Sequence, residues 1–225
     1  MGASGGFPID LVLFGMIAAF LVLRLRSILG RREGFERPPE PQRPELAPGA
    51  VARGVDGPAI DVGGEPAAAR SLPDPTGPVG LILGKMQQVD HGFQAGRFLT
   101  GAETAFRMIV GAFASGNRDT LRPLLSDDTF RAFDSAITAR EQRGETQRTD
   151  IRAVASAAID HADLHGSVAA ITVKFVSDQV NVRIGHDGLP VAGADAVTEI
   201  TDMWTFERDL AAVDPTWRLV AARSA

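Results

Sequence analysis

Apolar side chains dominate one continuous stretch near the start of the chain, Ile9–Leu29. Most of its residues are aliphatic or phenylalanine, and no charge interrupts its centre. Each large apolar residue favours insertion into a bilayer by about 0.3–0.6 kcal/mol, whereas Asp10 and Arg24 lie near the ends, where charges reach the interface. The pattern predicts a transmembrane helix over residues 7–29.

The charges behind this stretch set its expected orientation. Four arginines follow the apolar core, namely Arg24, Arg26, Arg31 and Arg32. A secretory signal peptide carries its positive charge before the apolar run, so this order disfavours cleavage. The positive-inside rule instead predicts a single-pass protein of the inner membrane, with its N-terminus out and the rest at the cytoplasmic face. The same arginines would attract anionic lipid headgroups, at about 1 kcal/mol per charge.

Residues 30–80 have a different composition from the rest of the chain. Ten of the 14 prolines lie between Pro38 and Pro78, mixed with glycine, alanine, glutamate and arginine. Apolar periodicity is absent, and such a composition buries too little surface to offset the entropy of ordering. We therefore expect a disordered tether between the membrane and the C-terminal part of the chain.

A helical period begins near residue 100. Apolar residues recur at the spacing of one buried helix face, at Ala102, Ala105, Phe106, Ile109, Val110 and Phe113. Thr100 and Glu103 have the spacing of a capping box, and Gly116 supplies the stop.

Two further helices are expected after this one. Asp119 should cap a short helix over Thr120–Leu125, and Ser126 should cap a longer one over Asp127–Arg143. Serine and aspartate are favoured at this position because their side-chain oxygens accept hydrogen bonds from the first free amides of a helix.

After residue 149 the period changes from about 3.6 to 2, which indicates strands. The expected strands are Ile151–Ile159, Val168–Ile184, Val197–Arg208 and Trp217–Ala222. The second shifts phase, which a bulge at Ser177–Asp178 would explain, and a loop should extend from the Asp187–Gly188 turn to Ala194. Residues 81–225 are thus predicted to be an α+β domain, with helices packed on one face of a curved antiparallel sheet.

Composition excludes several classes of function. The net charge of −5 gives no sign of nucleic-acid binding, and the absence of cysteine excludes disulfides and thiolate chemistry. None of the four histidines has metal-ligand spacing, so we expect neither a metal nor a cofactor. They are His91, His161, His165 and His186.

Several segments, in order and spacing, resemble a known family. They are Phe20–Arg32, Phe98–Leu99, Phe106–Phe113, Asp119–Ser126, Val173–Ser177, Val180–Val182, Asp202–Asp209 and Asp214–Trp217. Together they resemble the TimA-type inner-membrane adaptors, the alphaproteobacterial relatives of the mitochondrial import-motor adaptor Tim-forty-four. The resemblance covers the apolar run and about residues 93–222.

This resemblance implies a cone-shaped α+β domain of the cystatin-like, or nuclear-transport-factor-two-like, type. It also implies a non-enzymatic adaptor or scaffold that binds a protein partner, and anionic lipid, at an inner membrane. The mitochondrial relative recruits a chaperone through a long N-terminal region. Here a membrane segment and a proline-rich linker stand in its place.

Residues of the predicted sheet form a candidate pocket or partner-binding site. Period-2 counting places Asp202, Trp204 and Phe206 on one face of a strand. Trp217 lies on the neighbouring strand, and Phe175 on the apolar face of another. Both tryptophans could equally be core anchors of the sheet.

Asp202 leaves two interpretations open. A carboxylate among large apolar residues can have a raised pKa and act as a general base in an enzyme. It can also form a structural hydrogen bond, or an ion pair with Arg208 or Arg183. Catalysis would normally need a second group, and the chain has no tyrosine. We therefore expect binding rather than catalysis, with a small-molecule or lipid-binding pocket, or an enzyme using Asp202, as alternatives.

Overall fold

A computed structural model of the chain describes residues 68–224, in which four helices precede most of a five-stranded sheet. The elements are β1 (Ala69–Ser71), α1 (Pro78–Val89), α2 (Ala95–Ser115), α3 (Arg118–Leu124), α4 (Asp127–Gln142), β2 (Thr146–His165), β3 (Val168–Ile184), β4 (Pro190–Asp209) and β5 (Arg218–Ser224). The strand order is β1-β2-β3-β4-β5. The α+β class is confirmed, and the sheet is mixed because β1 pairs in parallel with β2.

The predicted transmembrane helix, at residues 7–29, lies outside the described residues, as do the four arginines behind it. Between residues 68 and 224, no helix is long and apolar enough to cross a membrane.

Helix α2 packs the face that its sequence predicts against the sheet. Phe106 and Ile109 are fully buried, and Gly116 ends the helix in the left-handed conformation, with φ of 71°. The predicted capping box is wrong, because the helix begins at Ala95. The Thr100 hydroxyl donates instead to the carbonyl of Gly96, one turn back, at 3.1 Å.

The two shorter helices each begin directly after a capping residue. Ser126 caps α4 as expected, accepting a hydrogen bond from the amide of Thr129 at 3.3 Å. For α3 the cap is Asn117 rather than Asp119. The side-chain oxygen of Asn117 accepts from the amide of Thr120 at 3.0 Å, so the helix begins earlier than predicted.

Strand β2 is twice as long as its apolar pattern indicates. It extends beyond Ile151–Ile159 at both ends, where polar residues still pair with β3. His161 and His165, which follow the expected strand in the sequence, therefore lie on β2. The His161 ring contacts the Asp163 carboxylate at 3.1 Å.

Strand β3 has the predicted bounds, but its irregularity lies further along than Ser177–Asp178. Burial alternates through Ser177 to Gln179 and then shifts phase, so that Val180 is also buried. The register with β4 slips between Gln179 and Asn181. The expected loop after residue 190 is strand, because β4 pairs there with the end of β3.

The linker prediction is wrong for its last residues. Ala69–Ser71 form β1 on the edge of β2, and Pro78 opens α1 at a position where proline is tolerated. Arg70 attaches this short strand to helix α2. Its guanidinium donates twice to the carboxylate of Glu103 on α2, at 2.8 and 3.0 Å.

The core lies between α2 and the sheet. The Phe106 ring stacks on Phe175 with centroids 4.5 Å apart, and it meets Trp204 edge-on at 4.8 Å. All three side chains are nearly or fully buried. Aromatic pairs of this kind add about 0.5–1.5 kcal/mol beyond the area that they bury.

Removing Arg70 should destabilise the domain, because Glu103 is 7% exposed and would lose its closest cation. For Arg70→Ala we expect the free energy of unfolding to fall by about 1–2 kcal/mol. Urea titration followed by tryptophan fluorescence measures this, since both tryptophans lie in the domain. Arg152→Ala, which removes an exposed β2 arginine paired with Asp150, is the control and should have little effect. Equal losses for both variants would contradict the assigned role of Arg70.

Candidate functional site

A large cavity of about 450 Å³ opens between α2, α4 and the concave face of the sheet. This volume falls in the usual range for ligand pockets. Its apolar walls come from two helices and from the sheet, through Val110, Phe113, Phe133, Ala136, Ile200 and Trp204. Polar residues of β2 and β3, among them Gln147, Gln179 and Asn181, line the same cavity.

Arg140 on α4 is the most deeply buried cation of the large cavity, at 5% exposed. It donates to the carbonyl oxygens of Phe113 and Ala114 at 2.8 and 3.1 Å, and to the side-chain oxygen of Gln147 at 2.7 Å. Burial lowers the pKa of the guanidinium. Arg140 therefore hydrogen-bonds to carbonyls near the end of α2 and joins that helix to α4 and β2.

Side-chain amides line the sheet wall of the large cavity. The Gln147 amide nitrogen donates to the Thr149 hydroxyl at 3.1 Å. On β3, the Gln179 amide donates to Ser177 at 2.8 Å and accepts from the amide nitrogen of Asn181 at 3.2 Å. We call Gln147, Gln179 and Asn181 the amide ladder.

Asp202 lies on the β4 wall of the same cavity, as its strand position predicts. Its carboxylate accepts a hydrogen bond from the Ser224 hydroxyl at 2.9 Å. Burial raises the pKa of Asp202, and the Ser224 hydrogen bond opposes this in part. The structural hydrogen bond is thus present.

The expected arginine partners of Asp202 bind elsewhere. Arg208 pairs with Asp90 at 3.1 Å, and Arg183 approaches Glu145 at 3.4 Å. Arg208 lies near the end of β4 and Arg183 near the end of β3, and each contacts a carboxylate that lies outside the sheet strands. Within residues 68–224, the side-chain hydrogen bond to Asp202 comes from the uncharged Ser224 hydroxyl.

Two arginines of the large cavity lie near its single neighbouring glutamate. Arg143, which follows α4, and Arg183 on β3 line the cavity, and Glu145 lies beside both. The hydrogen bond from Arg143 holds the pKa of Glu145 below its usual value, so this carboxylate is ionised at neutral pH. Arg223 pairs with Met203, one position along from the Asp202–Ser224 pair, so its exposed side chain lies on the sheet face opposite Asp202.

The remaining sequence candidates do not join this site. Phe175 is fully buried in the core, where it stacks on Phe106. Phe206 and Trp217 line a second cavity of about 340 Å³, beside Phe98, whose ring lies 4.7 Å from that of Trp217. The structure therefore brings only Asp202 and Trp204 together in the large cavity.

Sequence reasoning missed Arg140 and the amide ladder. Polar residues spaced two apart on a buried strand, Gln179 and Asn181, were the available signal for the ladder. Because the sequence predicts a bulge nearby, it places these two residues in an irregular stretch of the strand. No group of three His, Asp or Glu side chains that could hold a metal occurs in the described part of the chain.

Asp202→Asn tests the electrostatics of the large cavity. The folded-state pKa of Asp202 is raised, so the cost of its ionisation is fully present above that pKa and disappears as the pH falls through 3.8, the ordinary value. We expect Asp202→Asn to have an equal or higher free energy of unfolding at neutral pH, with the difference closing in acid. Urea titrations across this pH range measure it. A marked loss of stability at neutral pH would show that the ionised carboxylate has a stabilising partner.

Solved structures with a similar arrangement have low sequence identity. The intermembrane space region of the chloroplast protein ARC6 is 11% identical, with a TM-score of 0.41, over 56% of this chain and 95% of that one. A conserved protein from Planctomyces limnophilus DSM 3776 is 18% identical, with a TM-score of 0.33, over 57% and 94%. A periplasmic fragment of TraM is 13% identical, with a TM-score of 0.34, over 55% and 93%.

No curated protein matches the chain. The model of the Tim44-like domain does, over residues 79–224, which is well over half of the sequence. This range includes nearly all of the four helices and strands β2 to β5, and with them every residue that lines the large cavity. The chain therefore belongs to the family of proteins with a Tim44-like domain.

Proposed function

We propose that this protein is a membrane-anchored adaptor whose Tim44-like domain binds a protein partner in the large cavity. The observation that carries the proposal is the cavity itself, which combines apolar walls with hydrogen-bonding and charged side chains. Family membership supports an adaptor, and the apolar run at residues 7–29 supports a membrane anchor.

The chemistry of the large cavity favours binding over catalysis. Asp202 is the single carboxylate among its lining residues in the described domain, and neither histidine nor lysine lines it. General acid–base catalysis uses groups that titrate near the working pH, commonly a pair with different roles. Arg140 is committed to carbonyl oxygens of α2 and to Gln147.

The linker gives this adaptor its reach. Because Ala68 is buried in the core and β1 begins at Ala69, the tether expected from the composition comprises residues 30–67. A flexible chain of that length has a root-mean-square span of roughly 35 Å, so the domain can meet partners well away from the bilayer surface. The arginines Arg24, Arg26, Arg31 and Arg32 favour the cytoplasmic face and also support contact with anionic lipid.

A second candidate function is small-molecule or lipid binding, or an enzyme that uses Asp202. The raised pKa of Asp202 in a cavity of ligand size favours it. Asp202→Asn separates the candidates, since it abolishes general-base chemistry and preserves the cavity shape. An adaptor should keep its partner in that variant.

Deleting residues 7–29 should release the protein from the membrane. We expect the full chain to pellet with membranes and resist alkaline carbonate extraction, and the deletion variant to remain in the supernatant. Protease added to spheroplasts should leave the Tim44-like domain intact until the inner membrane is opened. Cleavage in intact spheroplasts would place the domain on the outer side and contradict the proposed orientation.

Partner binding is tested by photo-crosslinking in native membranes. A photoreactive amino acid at Ala139, on the α4 wall of the large cavity, should yield a crosslinked polypeptide of fixed size. The same group at Ala155, an exposed position of β2, is the matched control. Equal yields from both positions, or adducts with lipid alone at Ala139, would contradict a protein partner in the cavity.

A further inference from the structure

The second cavity brings together aromatic rings from α2, β4 and the segments beside them. The rings of Phe98 and Trp217 lie 4.7 Å apart, and the ring of Phe93 lies 6.0 Å from that of Trp217. Phe93 and Phe98 are buried, whereas Trp217 is partly exposed. Among residues 68–224, none lines both cavities, so a ligand bound here is independent of the partner proposed for the large one.

Two arginines are the only charged residues that line the second cavity within the described domain. Arg208 lies near the end of β4, two positions after Phe206, so both side chains are on the same face of the sheet. That face packs on α2, since the ring of Phe206 lies 6.1 Å from that of Phe98. Arg97 lies in the first turn of α2 and is exposed.

The positive charge of the second cavity is only partly balanced. Asp90 contacts Nη2 of Arg208 at 3.1 Å, and its other carboxylate oxygen accepts a hydrogen bond from the amide of Gly92 at 2.8 Å. Arg97 makes no hydrogen bond or ion pair within residues 68–224. Two arginines therefore share one carboxylate at this cavity, and one positive charge is left without a counterpart.

Hydrogen-bond donors at the second cavity also lack acceptors. The Nε of Arg208 is buried without an acceptor in the described domain, so the hydrogen bonds of this guanidinium are incompletely satisfied. The indole N–H of Trp217 makes no hydrogen bond within residues 68–224. The nearby carboxylate of Asp214 binds Arg218 and the amide of Thr216 instead. An anionic acceptor is thus the group that this cavity lacks.

These features select among classes of ligand. A quaternary ammonium, which aromatic rings can bind, would be repelled by the two arginines. An uncharged hydrocarbon would cover guanidinium groups without offering them an acceptor, which is unfavourable. A volume of about 340 Å³ lies at the lower end of the range for ligand pockets, which favours a small molecule.

We propose that the second cavity binds a small aromatic carboxylate. Its carboxylate binds the guanidinium of Arg208, and the exposed Arg97 adds positive charge. Its ring packs against Trp217, the partly exposed member of the aromatic cluster. This site is separate from the one proposed for a protein partner, so either proposal can fail without the other.

The two tryptophans report on the two cavities separately. Trp217 lines the second cavity and Trp204 the large one, and the chain contains no other tryptophan and no tyrosine. In Trp204→Phe, Trp217 is therefore the sole reporter, and in Trp217→Phe, Trp204 is. The full chain is studied in nanodiscs of phosphatidylcholine whose scaffold protein lacks tryptophan, so that no detergent enters either cavity.

The probe is hydrocinnamate, a phenyl ring on a short chain that ends in a carboxylate. We expect it to change Trp217 fluorescence saturably in Trp204→Phe, with a dissociation constant of about 1 mM or lower. Hydrocinnamamide, which has the same shape and no charge, should bind at least about tenfold more weakly, since hydrogen bonds to charged groups are the stronger ones. Absence of a saturable change up to about 10 mM hydrocinnamate, or equal binding of the amide, overturns the proposal.

Two arginine variants test the assigned contacts, each after urea titration has established that it is folded. Arg208→Lys keeps a cation for Asp90 and removes the planar guanidinium, so it should weaken hydrocinnamate binding roughly tenfold. Arg97→Gln, at an exposed position, should weaken it up to about fivefold and reduce its salt dependence. Arg152→Gln, which changes an exposed arginine outside both cavities, is the control and should leave affinity unchanged. Unchanged affinity in both cavity variants overturns the proposal.

Trp217→Phe identifies which cavity is occupied. Trp204 fluorescence should not respond to hydrocinnamate in that variant, and a response of Trp204 without one from Trp217 would place the acid in the large cavity and overturn the assignment. Octanoate distinguishes an acyl chain from an aromatic acid, because tighter binding of octanoate in Trp204→Phe would refute the aromatic preference. The adaptor function is tested separately, by crosslinking from Ala139, and its outcome does not depend on hydrocinnamate.

Discussion

The contact between α2 and the curved sheet is the constraint on which the rest of the domain depends. Phe106 lies between Phe175 and Trp204, so one ring from the helix joins two strands. Phe106 lies near the middle of α2. Beyond it, Ile109, Val110 and Phe113 line the large cavity together with residues of α4. The filled core and the open site are therefore two parts of one interface.

Arg140 shows how such a cavity keeps its shape without being filled. Its guanidinium satisfies carbonyls near the end of α2 and contacts β2 through Gln147. A buried cation is costly unless its hydrogen bonds are made, so the surrounding groups hold one arrangement. The walls are thus organised before a ligand enters, which reduces the ordering cost of binding.

Local patterns predicted much of the fold, and tertiary contacts decided the rest. The period of α2 and the alternation of β3 are strong because each element buries a single face. The sequence does not predict β1, because three residues in a proline-rich segment show no periodicity. The strand is stabilised by its pairing with β2 and its ion pair with Glu103. Asp202 and Trp204 could be placed in a pocket by counting along one strand. The amide ladder could not, since its meaning depends on which side of the sheet faces the helices.

β1 lies between the N-terminal part of the chain and the large cavity, and this position has a mechanical consequence. Tension in the linker reaches the domain first at β1, which three backbone pairs and the Arg70–Glu103 ion pair hold in place. Within the described domain, the lining of the large cavity includes no residue of β1. A pull from the membrane would therefore load the edge of the sheet before it could distort the cavity. On the proposed anchoring, β1 and its ion pair to α2 would therefore yield before the large cavity is distorted.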